Sequence, residues 1–152
     1  MKTLADQRCR AEILRRLRSV RPESVRRWGQ KSAHQMICHL SDSFRMATGE
    51  KQASEASGRL QRTLVKWIAL YAPVRWPPGI PTRPEVDQQS GGTKPVDFAA
   101  DVAELEALLE LVATRDKGFD WPMHPIFGRM SHAGWLRWAY LHTDHHLRQF
   151  GA

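Results

Sequence analysis

Apolar residues recur every three to four positions along most of this chain, and alternating patterns are absent. That spacing is the period of a helix with one buried face. A first helix is predicted over about Leu4 to Val20, with Leu4, Ile13, Leu14, Leu17 and Val20 on one stripe and a stop at Arg21-Pro22. A second follows Ser32, a good N-cap, and runs to Thr48, with Gly49 placed to end it. Residues 57–72 form a third apolar-periodic stretch through Leu60, Leu64, Trp67, Ile68 and Tyr71. Pro95 to Thr114 reads as another helix, with Leu105, Leu108, Leu109 and Val112 on one side. Ser131 opens a last helix that reaches Phe150. Residues 73–95 hold six prolines and three glycines, which argues against helix or interior strand there. A connection this long in a small domain is usually functional or a crossover. The reading is therefore all-α, a single domain over 1–152, built as a helix bundle with one long crossover and room for an extra helix.

Composition narrows the setting. No apolar run approaches the roughly 18 residues of a membrane span. The amino-terminal stretch lacks the apolar core of a secretory signal, and Cys9 and Cys38 are too few for a disulfide framework, so a cytoplasmic location with no membrane partner is expected. Charge is uneven: residues 1–31 carry ten Lys or Arg against three acids, which accounts for the whole net charge of +7. Such a segment can meet nucleic acid. Its apolar stripe and the lack of aromatic residues before Trp28 favour a solvated helix face instead.

Chemistry concentrates in the histidines. His142 and His146 stand one turn apart on the last helix, close enough for both imidazoles to reach one ion. Trp135, Trp138, His145 and Gln149 share their face. The pair is not the metalloprotease H-E-x-x-H, because Thr143 stands where that chemistry needs a glutamate. On the second helix, His39 shares a face with Ser32, Gln35, Met36, Asp42, Ser43 and Met46, a polar mixture that suits a pocket wall better than plain core. Three neutral imidazoles from two helices would leave one coordination position open, as catalytic zinc sites do. Asp42 is the candidate base or orienting group. Gln35, Ser43, His124, Trp138, His145 and Gln149 are candidates to line or orient the site. His124 has two readings, a turn that packs Phe127 and Trp121 or a wall of the pocket mouth. Cys38 points about 100° from His39 on a helical wheel and is not read as a ligand. Arg45 and Arg148 are either anion holders or surface charges. Imidazole ligation points to a divalent ion, with zinc or nickel favoured.

The motifs carry a resemblance. Trp28-Gly29 precedes Gln35-Met36-Ile37-Cys38-His39-Leu40. Later come His124-Pro125-Ile126-Phe127-Gly128 and the run His142-Thr143-Asp144-His145-His146-Leu147-Arg148-Gln149-Phe150-Gly151. Together they resemble an uncharacterised subgroup of the DinB-like superfamily of damage-inducible bacterial metalloproteins. The resemblance implies a four-helix bundle with a long crossover and a metal held by His39, His142 and His146. Arg148 stands where better-known relatives often have glycine. Characterised branches include transferases and isomerases that use low-molecular-weight thiols, so the resemblance implies a metal-dependent enzyme acting on a small molecule by thiol transfer or hydrolysis. A non-catalytic metal-dependent binding or stress-response module is the alternative, and a nucleic-acid binder using the basic first helix ranks below both. A homodimer is a further expectation.

Overall fold

A computed structural model describes residues 1–152. Five α-helices and two short turns of other helix types make up the chain, with no strands. The helices are α1 (Gln7–Leu17), α2 (Ala33–Thr48), α3 (Lys66–Tyr71), α4 (Phe98–Ala113) and α5 (His132–Gln149). A π-helical turn, Gln61–Val65, leads into α3, and a 3-10 turn, Pro84–Val86, sits in the proline-rich connection.

Local chemistry sets the ends of the long helices. Ser32 and Gln35 form a reciprocal capping box at the start of α2, and Gly49 closes it with φ 85°. Asp97 caps α4 by accepting from the Ala100 N–H, and Ser131 caps α5 by accepting from Gly134 N–H. Each such cap contributes about 1 kcal/mol. The first helix is shorter than its pattern predicts. Leu4 and Val20 remain in the core but lie outside the helical turns, because Asp6 caps the helix and the chain turns at Arg18.

α2 is the central element, packing on α4 and α5, while α1 also contacts α4 and α5. Ile13, Leu17, Ile37, Leu40, Phe44, Leu105, Leu109, Trp135 and Leu147 fill the space between these four helices. The basic residues of α1 are partly neutralised across it: Arg10 faces Glu110, Arg16 faces Asp144, and Arg18 faces Glu106. The third stretch differs from expectation. Only Leu70 of α3 is buried, whereas Leu60, Leu64, Trp67, Ile68 and Tyr71 are exposed. Its apolar period points largely to solvent and to a cavity mouth rather than to the core. No helix is long and apolar enough to cross a membrane.

Candidate metal centre

The proline-rich connection lies across α2 and is fastened there by Asp42. This carboxylate is fully buried. It accepts the Thr93 N–H at 2.8 Å, the Thr93 hydroxyl at 2.7 Å and the Gln88 amide at 3.1 Å. Lys51 and Arg45 pair with it at 2.9 and 3.2 Å. Burial alone would raise its pKa, but the bonds from Thr93 and Lys51 hold it below the ordinary carboxylate value. Asp42 is therefore occupied in positioning the connection and does not line the cavity described below.

One result of that anchoring is the place of Val86, whose carbonyl lies 2.7 Å from His39 Nδ1. A carbonyl only accepts, so His39 carries its proton on Nδ1 and turns a bare Nε2 inward. His146 is set in the same way by a longer relay. The Gln149 amide nitrogen donates to the Trp28 carbonyl at 2.7 Å, which turns Gln149 Oε1 toward His146 Nδ1 at 3.1 Å. His146 Nδ1 must then be the donor, and its Nε2 is also a bare lone pair. Gly29 makes this relay fit: its φ is 81°, and a Cβ there would overlap the Gln149 amide nitrogen.

His142 completes the group. Its Nε2 lies 3.3 Å from His39 Nε2, and its Nδ1 has no partner in the protein. The ligating nitrogens of His39, His142 and His146 all fall within 4.8 Å of one another, a group that can hold a metal ion. Zinc–nitrogen bonds of about 2.0–2.1 Å at tetrahedral angles separate ligand nitrogens by about 3.3 Å, so the His39–His142 spacing fits. Removal from water, first of all, lowers all three basicities. His39 is brought down to about 4, and His142 and His146 are held well below the ordinary histidine value, with mutual repulsion adding to burial. Neutral imidazoles are the form that ligates.

The three rings line a cavity of about 540 Å³. Ser43, His124, Trp138 and His145, four of the residues singled out in the sequence, are among its lining residues. Trp138 stacks on His142 with ring centres 4.9 Å apart. His145 is buried between Trp28, Trp76 and His146, with Nδ1 unpartnered. Ser43 spends its hydroxyl on the His39 carbonyl. His124 combines both of its sequence readings. Its Nδ1 accepts the Ile126 and Phe127 N–H groups, each at 3.1 Å, and its ring lines the cavity. Burial lowers it to about 3. Gln35 is not in the cavity, because the capping box uses its side chain. Arg45 and Arg148 are engaged by Glu104 and Asp144. Sequence reasoning missed Val86, Trp28 and Trp76, and the arginines Arg75 and Arg83 of the cavity wall. Only Trp28 stood in a motif.

α2 carries a second group on another face. His34 Nε2 lies 2.6 Å from Asp101 Oδ2, and the Cys38 thiol donates to the same oxygen at 3.6 Å. Burial first, then Asp101, pushes the Cys38 thiol up to about 12, so it stays protonated.

Fold and site together define an all-helical protein with a three-histidine group in the wall of a largely apolar cavity. The chain belongs to the family described as "Protein of unknown function (DUF1569)", whose model matches residues 6–152. No curated protein matches this chain. No solved structure matches it either.

Proposed function

We propose that this protein is a divalent-metal-binding member of the DinB-like superfamily, with α1, α2, α4 and α5 as its four-helix bundle and residues 73–95 as its crossover. We further propose that it is a metal-dependent enzyme acting on a small molecule by thiol transfer or hydrolysis. One observation carries the metal reading: the outer nitrogens of His39 and His146 are taken up by independent second partners, and ligand nitrogens of these two rings and of His142 lie within 4.8 Å of one another. Without a cation, His142 can donate one proton to His39, and the His146 lone pair then faces the group with no donor. Buried acceptors without a donor are costly, at about 1–3 kcal/mol each. A cation satisfies all three at once.

Zinc or nickel suits this ligand set and would supply Lewis acidity at the position that three imidazoles leave open. The protein's own part is positional. Val86 and Gln149 orient two ligands, and Trp138 braces the third. The test is elemental analysis of the purified protein beside His142→Ala. About one zinc or nickel per wild-type chain and almost none in the variant is expected. Equal content in both would overturn the reading.

A second reading has its own support. No carboxylate lines the cavity, so no acidic general base stands ready, which suits a non-catalytic metal-dependent binding module. In that case metal removal lowers the melting temperature and ligand binding, and no substrate in a thiol and ester panel turns over. A nucleic-acid role for α1 ranks lowest, because Arg10, Arg16 and Arg18 already face acids. A steep loss of DNA binding with salt, abolished by neutralising Arg15, Arg16 and Arg18, would revive it.

A further inference from the structure

The π-helical turn and α3 form one short helical rod whose apolar face the protein leaves uncovered. Leu70 is buried in the core, and Lys66 Nζ donates to the Arg129 carbonyl at 3.0 Å, so these two residues mark the side that faces the body. Leu60, Leu64, Trp67 and Tyr71 follow at intervals of four, three and four on another side, and each is between 44 and 59% exposed. Ile68, Val74 and Ile80 extend this patch. They too are exposed, and they also line the cavity, so the patch reaches the cavity mouth. Exposed apolar clusters of this kind mark an interaction site.

The charge around the patch is of one sign. From Ala56 to Pro84 the chain carries Arg59, Arg62, Lys66, Arg75 and Arg83 and no acid. Arg62 is paired with Glu55, but Arg59, Arg75 and Arg129 are exposed and have no ion-pair partner. α1 differs, because there Arg10, Arg16 and Arg18 face acids. A second copy of the chain fits this face poorly. A twofold contact would bring the same basic patch of both copies together. A coiled-coil seam also runs over at least about three heptads, whereas Gln61–Tyr71 spans only about 17 Å. A flat anionic surface answers both features at once.

We infer that the face of Leu60, Leu64, Trp67 and Tyr71 docks into the headgroup layer of an anionic phospholipid bilayer, with Arg59, Arg75 and Arg129 beside the charged headgroups and the cavity mouth at the membrane surface. Leucine, tryptophan and tyrosine on one side with basic residues around them are the composition of a helix that lies in a membrane interface. Such a helix lies along the surface, so docking needs no spanning segment. The docking face shares no residue with the three-histidine group and does not depend on the metal reading.

The test sediments the purified full chain with vesicles of phosphatidylcholine, either alone or with about 30% phosphatidylglycerol. Each arginine near an anionic surface favours binding about fivefold, so phosphatidylglycerol should raise the partition coefficient at least about 50-fold. Arg59→Gln combined with Arg129→Gln should lower it at least about tenfold. Leu64→Gln combined with Trp67→Gln should lower it at least about 30-fold and keep the wild-type far-ultraviolet circular dichroism, because both side chains are exposed. Raising salt from about 0.1 to about 0.5 M should release most of the bound protein. Equal partition on the two vesicles, including none on either, would overturn the inference, as would wild-type binding by the Leu64 and Trp67 double variant. A dimer in lipid-free buffer, or a complex with duplex DNA, that this double variant dissolves would give the face to that partner and overturn it as well.

Discussion

α2 presents two polar clusters on different faces, and they are built on opposite principles. The group of His34, Cys38 and Asp101 closes on itself. One carboxylate oxygen accepts from His34, from the Cys38 thiol and from the Val96 N–H. Partial burial works against the charge on Asp101, yet those donors keep its pKa below the ordinary value. The group of His39, His142 and His146 does the reverse. Its second partners, Val86 and Gln149, take up the outer nitrogens of His39 and His146, and at the inner ones only His142 can supply a proton, a single one, to His39. Both clusters bring ligand-type atoms within 4.8 Å of one another. Proximity of ligand atoms therefore does not separate a metal centre from an ordinary hydrogen-bonded cluster. The direction of the donors does.

The largest effect should fall on metal content. His39→Ala or His146→Ala is expected to lower metal affinity at least 100-fold, while His34→Ala and Cys38→Ser keep a full complement by elemental analysis. Loss of metal from Cys38→Ser would break the contrast at once. Next comes Asp42→Ala, which removes a buried carboxylate and strands Lys51, Arg45 and Thr93. A loss of about 3–5 kcal/mol in urea unfolding is expected, against about 1 kcal/mol for Cys38→Ala. If the two cost the same, Asp42 does not anchor the connection.

Gln149→Leu sharpens the comparison further. It frees His146 to rotate and take the other tautomer, so zinc affinity in a competitive chelator titration should drop about 10–100-fold with the fold retained. Unchanged affinity would mean that the Trp28–Gln149 relay does not set the ligand. The most gradual effect is in pH. His39 and His124 titrate near 4 and near 3 when folded, below the ordinary value of about 6.5. As pH falls below about 6.5, the unfolded chain takes up protons first, so each histidine withdraws up to about 1.4 kcal/mol of stability per pH unit until its folded value is reached. Above about 6.5 neither contributes. Urea midpoints of chelator-treated protein at several pH values between 7.5 and 5 should fall accordingly, and the slope should be shallower in His124→Gln. A flat profile would show that these rings are hydrated in the metal-free protein.

Much of this was legible in the chain. Ser32, Gly49 and Ser131 mark helix ends by local chemistry, which needs no tertiary information. The spacing of His142 and His146 and the polar face around His39 locate the group for the same reason. What failed depended on distant partners. Asp42 reads as a base from its place one turn after His39, but residues 46 to 51 positions away claim its oxygens. Gln35 shares a helical-wheel face with His39, yet the capping box uses it locally. The stretch of Leu60, Leu64 and Trp67 has a core-like period, and nothing in a period says which side of a helix the protein will cover. Val86 bears on the site only through its carbonyl, which every residue possesses, so no side-chain pattern could flag it.

The link from Gly29 and Trp28 to Gln149 spans 121 residues and joins the segment between α1 and α2 to the last turn of α5. Arg27 N–H also donates to the Gln149 carbonyl at 2.7 Å, so two hydrogen bonds fasten that junction. Because Gln149 orients His146, docking of this segment and loading of the ion are thermodynamically linked, and each must tighten the other by the same factor. The amino-terminal third of the chain thus becomes a reporter of occupancy. Amide exchange at Arg27 should slow when metal is added, although that residue touches no ligand, and the gain in protection would measure the coupling between the two ends of the fold.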